Sequence, residues 1–128
     1  MKSSTPASRL TVVAVLGFLG VALGAFGAHA LAPALAAKGM TEVWKTAVLY
    51  HFVHTLALLA LVREESVSCH SRFCFIVGIV LFSGSLYALA LGAPRWVGPI
   101  TPIGGLFLLV GWAGLAWTGI RNLKNQGS

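Results

Sequence analysis

Three histidines, two tyrosines and a serine lie within or beside the most apolar stretches of the chain: His29, then Tyr50, His51 and His54, then Ser83 and Tyr87. Imidazole titrates near neutrality and is a common metal ligand, so such a set can serve as a proton relay, a metal site or a bis-histidine haem site. The segment from Glu42 to Thr55 puts His51 and His54 at i and i+3, on one helical face with Trp44, Ala47, Thr55 and Leu58. Tyr50 and His54 stand at i and i+4 and can touch. By helix rise, His51 lies about 12 Å from the start of its segment. His29 sits near the same end of the preceding segment, so the three imidazoles can converge.

A structural reading competes with the functional one. Each neutral imidazole can instead hydrogen-bond a hydroxyl or carbonyl on a neighbouring helix, with Ser83, Ser85, Tyr87 and Thr118 available. Bonds of this kind contribute about 0.6 kcal/mol each in a membrane. No carboxylate lies deep enough to complete a typical metal or proton site, and Glu42 is at an edge. The expectation is no resident cofactor, with haem or metal at the histidines as the alternative.

Other chemistry finds less support. Ser83-Gly84-Ser85 falls in mid-helix, without the strand–turn–helix context of a nucleophile elbow. Cys69 and Cys74 alone make no metal framework, which needs four converging ligands. Ile103-Gly104-Gly105 follows a proline at a helix start, where free N–H groups can hold an anion. Close helix packing is the plainer role for those glycines. There is no paired carboxylate and no phosphate-cradling loop, so no enzyme is expected.

The elements that position these residues follow from composition. Of 128 residues, 57% are hydrophobic and 9% charged, against about 25% charged in an average soluble domain. Twelve charged side chains cannot cover a soluble fold of this size, which leaves an integral membrane protein. A hydrocarbon core of about 30 Å needs about 20 helical residues, and four runs supply them: about 10–31, 43–62, 73–91 and 102–120. A backbone in lipid must satisfy its own hydrogen bonds, so these runs are helices. The fold class is an all-α membrane protein, an antiparallel four-helix transmembrane bundle in one domain of residues 1–128, because the connections are short.

Thr41-Glu42 and Thr101-Pro102 read as helix starts with capping hydroxyls, and Gly39 and Gly92 as helix stops. Residues 34–38 suit one interfacial turn. Lys2, Arg9 and the motif Ala28-His29-Ala30 resemble a signal peptide. The run between them is longer than a signal core of about 7–15 residues, so it reads as a retained first span. The net charge of +6 is spread between the apolar runs, as membrane-flanking charges are, and does not form a nucleic-acid patch. Lys2, Arg9, Arg63, Arg72, Arg121 and Lys124 fall on the side of the termini; Lys38, Lys45 and Arg95 fall on the other. The excess places both termini in the cytoplasm. Trp44 and Trp96 then mark the outer interface and Trp117 the inner one.

Helices in lipid associate through small residues that let backbones approach. Gly17, Gly20, Gly24, Gly27 and Ala28 line the first span; Gly84, Ala88 and Gly92 the third; Gly104, Gly111, Gly114 and Thr118 the fourth. These faces serve packing inside the bundle or against another copy. The partners expected are the lipid bilayer, a homo-oligomer or a larger membrane complex, and no nucleic acid.

Four ordered motifs carry a resemblance over residues 10–120. They are Gly24-Ala25-Phe26-Gly27-Ala28-His29, Trp44-Lys45-Thr46-Ala47 with Tyr50-His51 and His54, Phe82-Ser83-Gly84-Ser85-Leu86-Tyr87, and Thr101-Pro102-Ile103-Gly104-Gly105 with Gly111-Trp112. Their order and spacing resemble the family of small four-helix membrane proteins that includes bacterial YgdD and YwdK. The resemblance implies four transmembrane helices and a bacterial inner-membrane location, and it implies no activity. The segment 64–72 matches none of the motifs and is expected to be a loop particular to this chain.

Overall fold

A computed structural model describes residues 4–127. Lys2, counted above among the charges beside the termini, lies outside them. The described residues form α1 (Pro6–Ala28), a short α2 (Ala32–Ala37), α3 (Thr41–Ala60), α4 (Cys69–Ala90), a single 3-10 turn (Arg95–Val97) and α5 (Ile100–Gln126). No strand occurs among them. Four helices are long and apolar enough to cross a membrane: α1, α3, α4, and the stretch Arg95–Gln126 that contains α5.

The helix ends show how local sequence sets boundaries. Thr5 caps α1, its hydroxyl accepting from the Ser8 N–H at 3.2 Å, with Pro6 in the first turn. Ser68 caps α4 in the same way through the Ser71 N–H. Neither threonine read as a cap serves as one. Thr41 is already helical and Met40 precedes it without a side-chain bond. Thr101 lies inside α5 and meets Ser85 of α4 at 2.6 Å. Gly39 and Gly92 do stop helices, with φ of 64° and 103°. Each sits in a Schellman motif: Gly39 N–H to Ala36 and Met40 N–H to Leu35; Gly92 N–H to Leu89 and Ala93 N–H to Ala88. Segment 64–72 is not all loop, because α4 begins at Cys69 and holds Arg72 in its first turn.

Packing runs α1 on α3, α3 on α4 and α4 on α5, so α1 and α5 are the flanks. Two apolar clusters fill the interior. Near the termini, Leu16, Leu58, Phe75, Ile79 and Leu108 meet across all four long helices. Towards the other end, Leu35 of α2 closes over Trp44, Ala47, Tyr87 and Ala90. Arg9 bonds the Val62 carbonyl and Arg121 the Ser66 carbonyl, which gathers both chain ends at the α3–α4 connection. At the opposite end Lys38 Nζ bonds the Leu91 carbonyl at 3.2 Å.

The glycine stripes divide by geometry. A Cβ at Gly104 would strike the Phe82 backbone, 2.7 Å from its Cα, and one at Gly111 would press on the Phe75 ring at 3.0 Å. Gly84 meets nothing within 4 Å. The close-packing glycine of α4 is instead Gly78, whose place beside Leu108 leaves no room for a methyl group. The stripe of Gly84, Ala88 and Gly92 is thus not the α4–α5 seam. Gly104→Leu is expected to destabilise the bundle by about 3 kcal/mol, the upper range for overpacking. Gly84→Ala is expected to stay within about 0.5 kcal/mol of the parent. Thermal unfolding in detergent, followed by far-UV circular dichroism, distinguishes the two; equal losses would contradict this division.

Candidate functional site

α3 carries His51, His54 and Thr55 on its buried face, and the two histidines reach different neighbours. His51 is 4% exposed. Its Nε2 lies 2.9 Å from the Leu16 carbonyl of α1, and its Nδ1 lies 3.1 Å from the Tyr87 hydroxyl of α4. A carbonyl only accepts, so Nε2 carries the proton and donates it. In the neutral ring Nδ1 then accepts from Tyr87. One side chain joins three helices.

His54 holds the opposite tautomer. Indole N–H is a donor only, and Trp112 Nε1 of α5 donates to His54 Nε2 at 3.2 Å. That nitrogen is therefore unprotonated, and Nδ1–H donates to the Tyr50 carbonyl one turn back at 2.7 Å. Rings close round it: His54 against Phe75 with centroids 5.8 Å apart, and Phe75 edge-on to Trp112 at 5.3 Å.

Trp44 is not an interfacial marker. It is 3% exposed, its ring is 4.8 Å from that of Tyr87, and its Nε1 donates to the Leu23 carbonyl of α1 at 3.0 Å. The two α1 carbonyls that receive these bonds share one feature. Leu16 and Leu23 each precede a glycine by four residues, Gly20 and Gly27. Helical Cβ atoms lean back towards the N-terminus, so the side chain at i+4 shields the carbonyl at i. Glycine leaves it bare. A Cβ on Gly27 would fall on the Trp44 indole nitrogen, and one on Gly20 would stand 3.0 Å from the Phe52 ring. Leu16 to Leu23 and Trp44 to His51 are both seven residues, so the two bonds repeat one register along the α1–α3 seam.

The remaining candidates separate. Ser83, 1% exposed, donates to the Ala47 carbonyl at 2.8 Å and to no histidine. Tyr50 stacks on His54 with centroids 5.9 Å apart and packs on Phe82 at 4.5 Å. Thr118 bonds the Gly114 carbonyl of its own helix. Ser85 bonds Thr101. His29 is the exposed C-cap of α1, and no hydrogen bond or ring contact joins it to His51 or His54. The three histidines therefore do not converge; His51 turns to α1 and α4, His54 to α5. No group of three or more His, Cys, Asp or Glu able to hold a metal occurs among the described residues. A metal or haem iron at His51 or His54 would have to displace a bond that a ring nitrogen already makes.

Trp112, quoted only within a resemblance motif, and Arg72, counted only as a flanking charge, make bonds that the sequence did not assign to them. Trp112 falls seven residues from Gly105, which meets Phe82, but its partner His54 lies on another helix and no spacing gives that. Arg72 is buried and donates from Nη1 to the Val67 carbonyl at 2.6 Å and from Nη2 to the Leu61 and Glu64 carbonyls. It closes the loop between α3 and α4.

Geometry and composition together define a small antiparallel four-helix membrane protein whose interior polar groups tie helix to helix. Comparison with known proteins identifies which one it resembles. Residues 23–105 match the family described as "Protein of unknown function (DUF423)". A UPF0382 membrane protein of Haemophilus influenzae is 44% identical over 117 residues, 88% of this chain and 94% of that one. The UPF0382 inner membrane protein YgdD of Escherichia coli K12 is 43% identical over 123 residues, 92% of each. A UPF0382 membrane protein of Schizosaccharomyces pombe is 41% identical over 110 residues, 80% of this chain and 92% of that one. No solved structure matches. The chain belongs to the DUF423/UPF0382 family of membrane proteins.

The tautomers give a direct test. With nitrogen-15-labelled histidine, His51 is expected to show a protonated Nε2 and bare Nδ1, and His54 the reverse. A double-mutant cycle of His54→Ala with Trp112→Phe should give a coupling of about 0.6 kcal/mol, and at most about 1.7. Identical tautomers at the two sites, or additive mutants, would contradict the arrangement.

Proposed function

We propose that this is a non-enzymatic inner-membrane protein, both termini cytoplasmic, that acts by lateral association in the bilayer with its own copies or with a larger membrane complex. The observation that carries the reading is that all four ring nitrogens of His51 and His54 are bonded within the bundle. Groups occupied in this way hold helices together and are not poised to turn over a substrate. The connections are short, so little protrudes for a soluble partner to grip. The flanking helices turn large apolar side chains outwards, Phe18 and Val21 from α1 and Leu109 and Trp117 from α5. The inner-membrane assignment is supported by the name borne by the Escherichia coli relative. Cytoplasmic termini are supported by Arg9, Arg72 and Arg121 meeting at the end that gathers the chain ends.

The alternative is proton, metal or haem handling by the histidines, which would require those bonds to open. Purification in mild detergent followed by mass measurement should return a species heavier than one chain. A strictly monodisperse, partnerless monomer would count against association. His51→Gln and His54→Gln should lower thermal stability and assembly while leaving metal content and visible absorption as in the parent. A haem absorption band in the parent that His51→Gln abolishes would replace this reading with the alternative. Reporter fusions at each terminus should both read cytoplasmic.

A further inference from the structure

Because α1 and α4 both lean on α3, a groove remains between them near the chain ends, with a volume of about 370 Å³. Its floor is Leu58 and Val62 of α3; its walls are Val12 of α1 and Phe73 and Ile76 of α4. Val12 and Phe73 are 40% and 60% exposed, so the walls open towards the lipid. Arg9 and Arg72 stand on the rim.

The carboxylates near the rim, Glu64 and Glu65, are exposed. Arg72 is only 8% exposed, yet its hydrogen bonds go to neutral carbonyls and no ion pair joins it to a carboxylate among the described residues. Its Nε is the one buried side-chain polar atom among the described residues that lacks a partner. Arg9 pairs with Glu65 at 3.2 Å, but that carboxylate side is 70% exposed and its field is largely spent on water. Two arginines thus line one low-dielectric groove, and the carboxylates that act on them, Glu64 and Glu65, both lie exposed on the α3–α4 connection. A buried cation is stable only when it is paired and hydrogen-bonded. Guanidinium is the side chain best matched to a phosphate, which it can bind through two parallel N–H bonds.

We infer that the groove between α1 and α4 holds an anionic phospholipid, its phosphate between Arg9 and Arg72 and one acyl chain along Val12, Phe73 and Ile76. Arg72 lies three residues into α4, about 5 Å from the helix end, which is headgroup depth. Basic pockets between transmembrane helices at such depth take acidic headgroups. The apolar walls distinguish a lipid from free phosphate, which has nothing to place there. The inference needs only insertion in a bilayer and stands apart from the association proposed above.

Native mass spectrometry of the full chain in detergent tests it, with phosphatidylglycerol and phosphatidylcholine of identical acyl chains as probes. The parent should retain the anionic lipid at least about fivefold better, the effect of one basic residue at a membrane surface. Arg9→Gln should bring the two lipids close to parity. Val12→Trp, which fills the groove and keeps both arginines, should lower phosphatidylglycerol retention about as much. Far-UV circular dichroism checks that each variant is folded, and where Arg9→Gln is not, Val12→Trp decides. Equal retention of both lipids by the parent would overturn the inference. So would an undiminished preference in folded Val12→Trp, or complete displacement of phosphatidylglycerol by millimolar inorganic phosphate.

Discussion

The bundle depends on the bonds that His51 makes in a medium without water. An imidazole in hydrocarbon must find partners in the protein, because an unsatisfied polar group there costs several kcal/mol. His51 finds one on each side, the Leu16 carbonyl and the Tyr87 hydroxyl, and so fixes α3 against α1 and α4 together. The net gain from each bond is small, about 0.6 kcal/mol. The loss on breaking one is larger, because both groups are then stranded. Apolar packing can slide along a helix at little cost, whereas a donor aimed at one carbonyl cannot. The polar ties therefore set register more than they set stability.

That requirement explains the glycines of α1 better than helix proximity alone. A carbonyl inside a helix already accepts from the N–H four residues on, and a second donor must approach past the side chain at that same position. Gly27 clears the way for Trp44, and Gly20 makes room for the Phe52 ring next to His51. The α4–α5 seam uses glycine differently. Gly104 and Gly111 bring backbone and ring surfaces into contact with Phe82 and Phe75, and only Ser85 with Thr101 ties those helices by side-chain hydroxyls. One seam is thus registered by carbonyl acceptors and the other by shape. His54 with Trp112 links the two across α4, next to Phe75.

Much of this was legible in the sequence, for a reason that differs by feature. The spans follow from hydropathy and length, and the buried face of α3 from the i, i+3, i+7 spacing of Trp44, Ala47, His51, His54 and Leu58, all of which are buried. Which partner each residue takes is a tertiary fact. Ser83 and Tyr87 stand one turn apart on α4, yet one bonds a carbonyl and the other a histidine. Trp44 reads as interfacial from its place near a helix start, but α2 folds over that end and buries it with Leu35. Gly84 and Gly78 look alike as letters in a helix; only the azimuth of α5 shows that Gly78 faces it. His29 belongs to a helix that ends one residue earlier, so its ring leaves the bundle instead of entering it.

The charged end of the molecule is held by arginines that close on one connection. Arg9, Arg72 and Arg121 donate to carbonyls of residues 61–67, the chain between α3 and α4. Those carbonyls are the ones a helix C-terminus and a loop leave without partners. Arginine suits the task because its several N–H groups fan out in one plane: Arg72 alone serves three carbonyls. Lysine, a compact charge without that fork, would not span them. Arg72 and Arg121 meet neutral acceptors there, while Arg9 also pairs with Glu65 of the same connection.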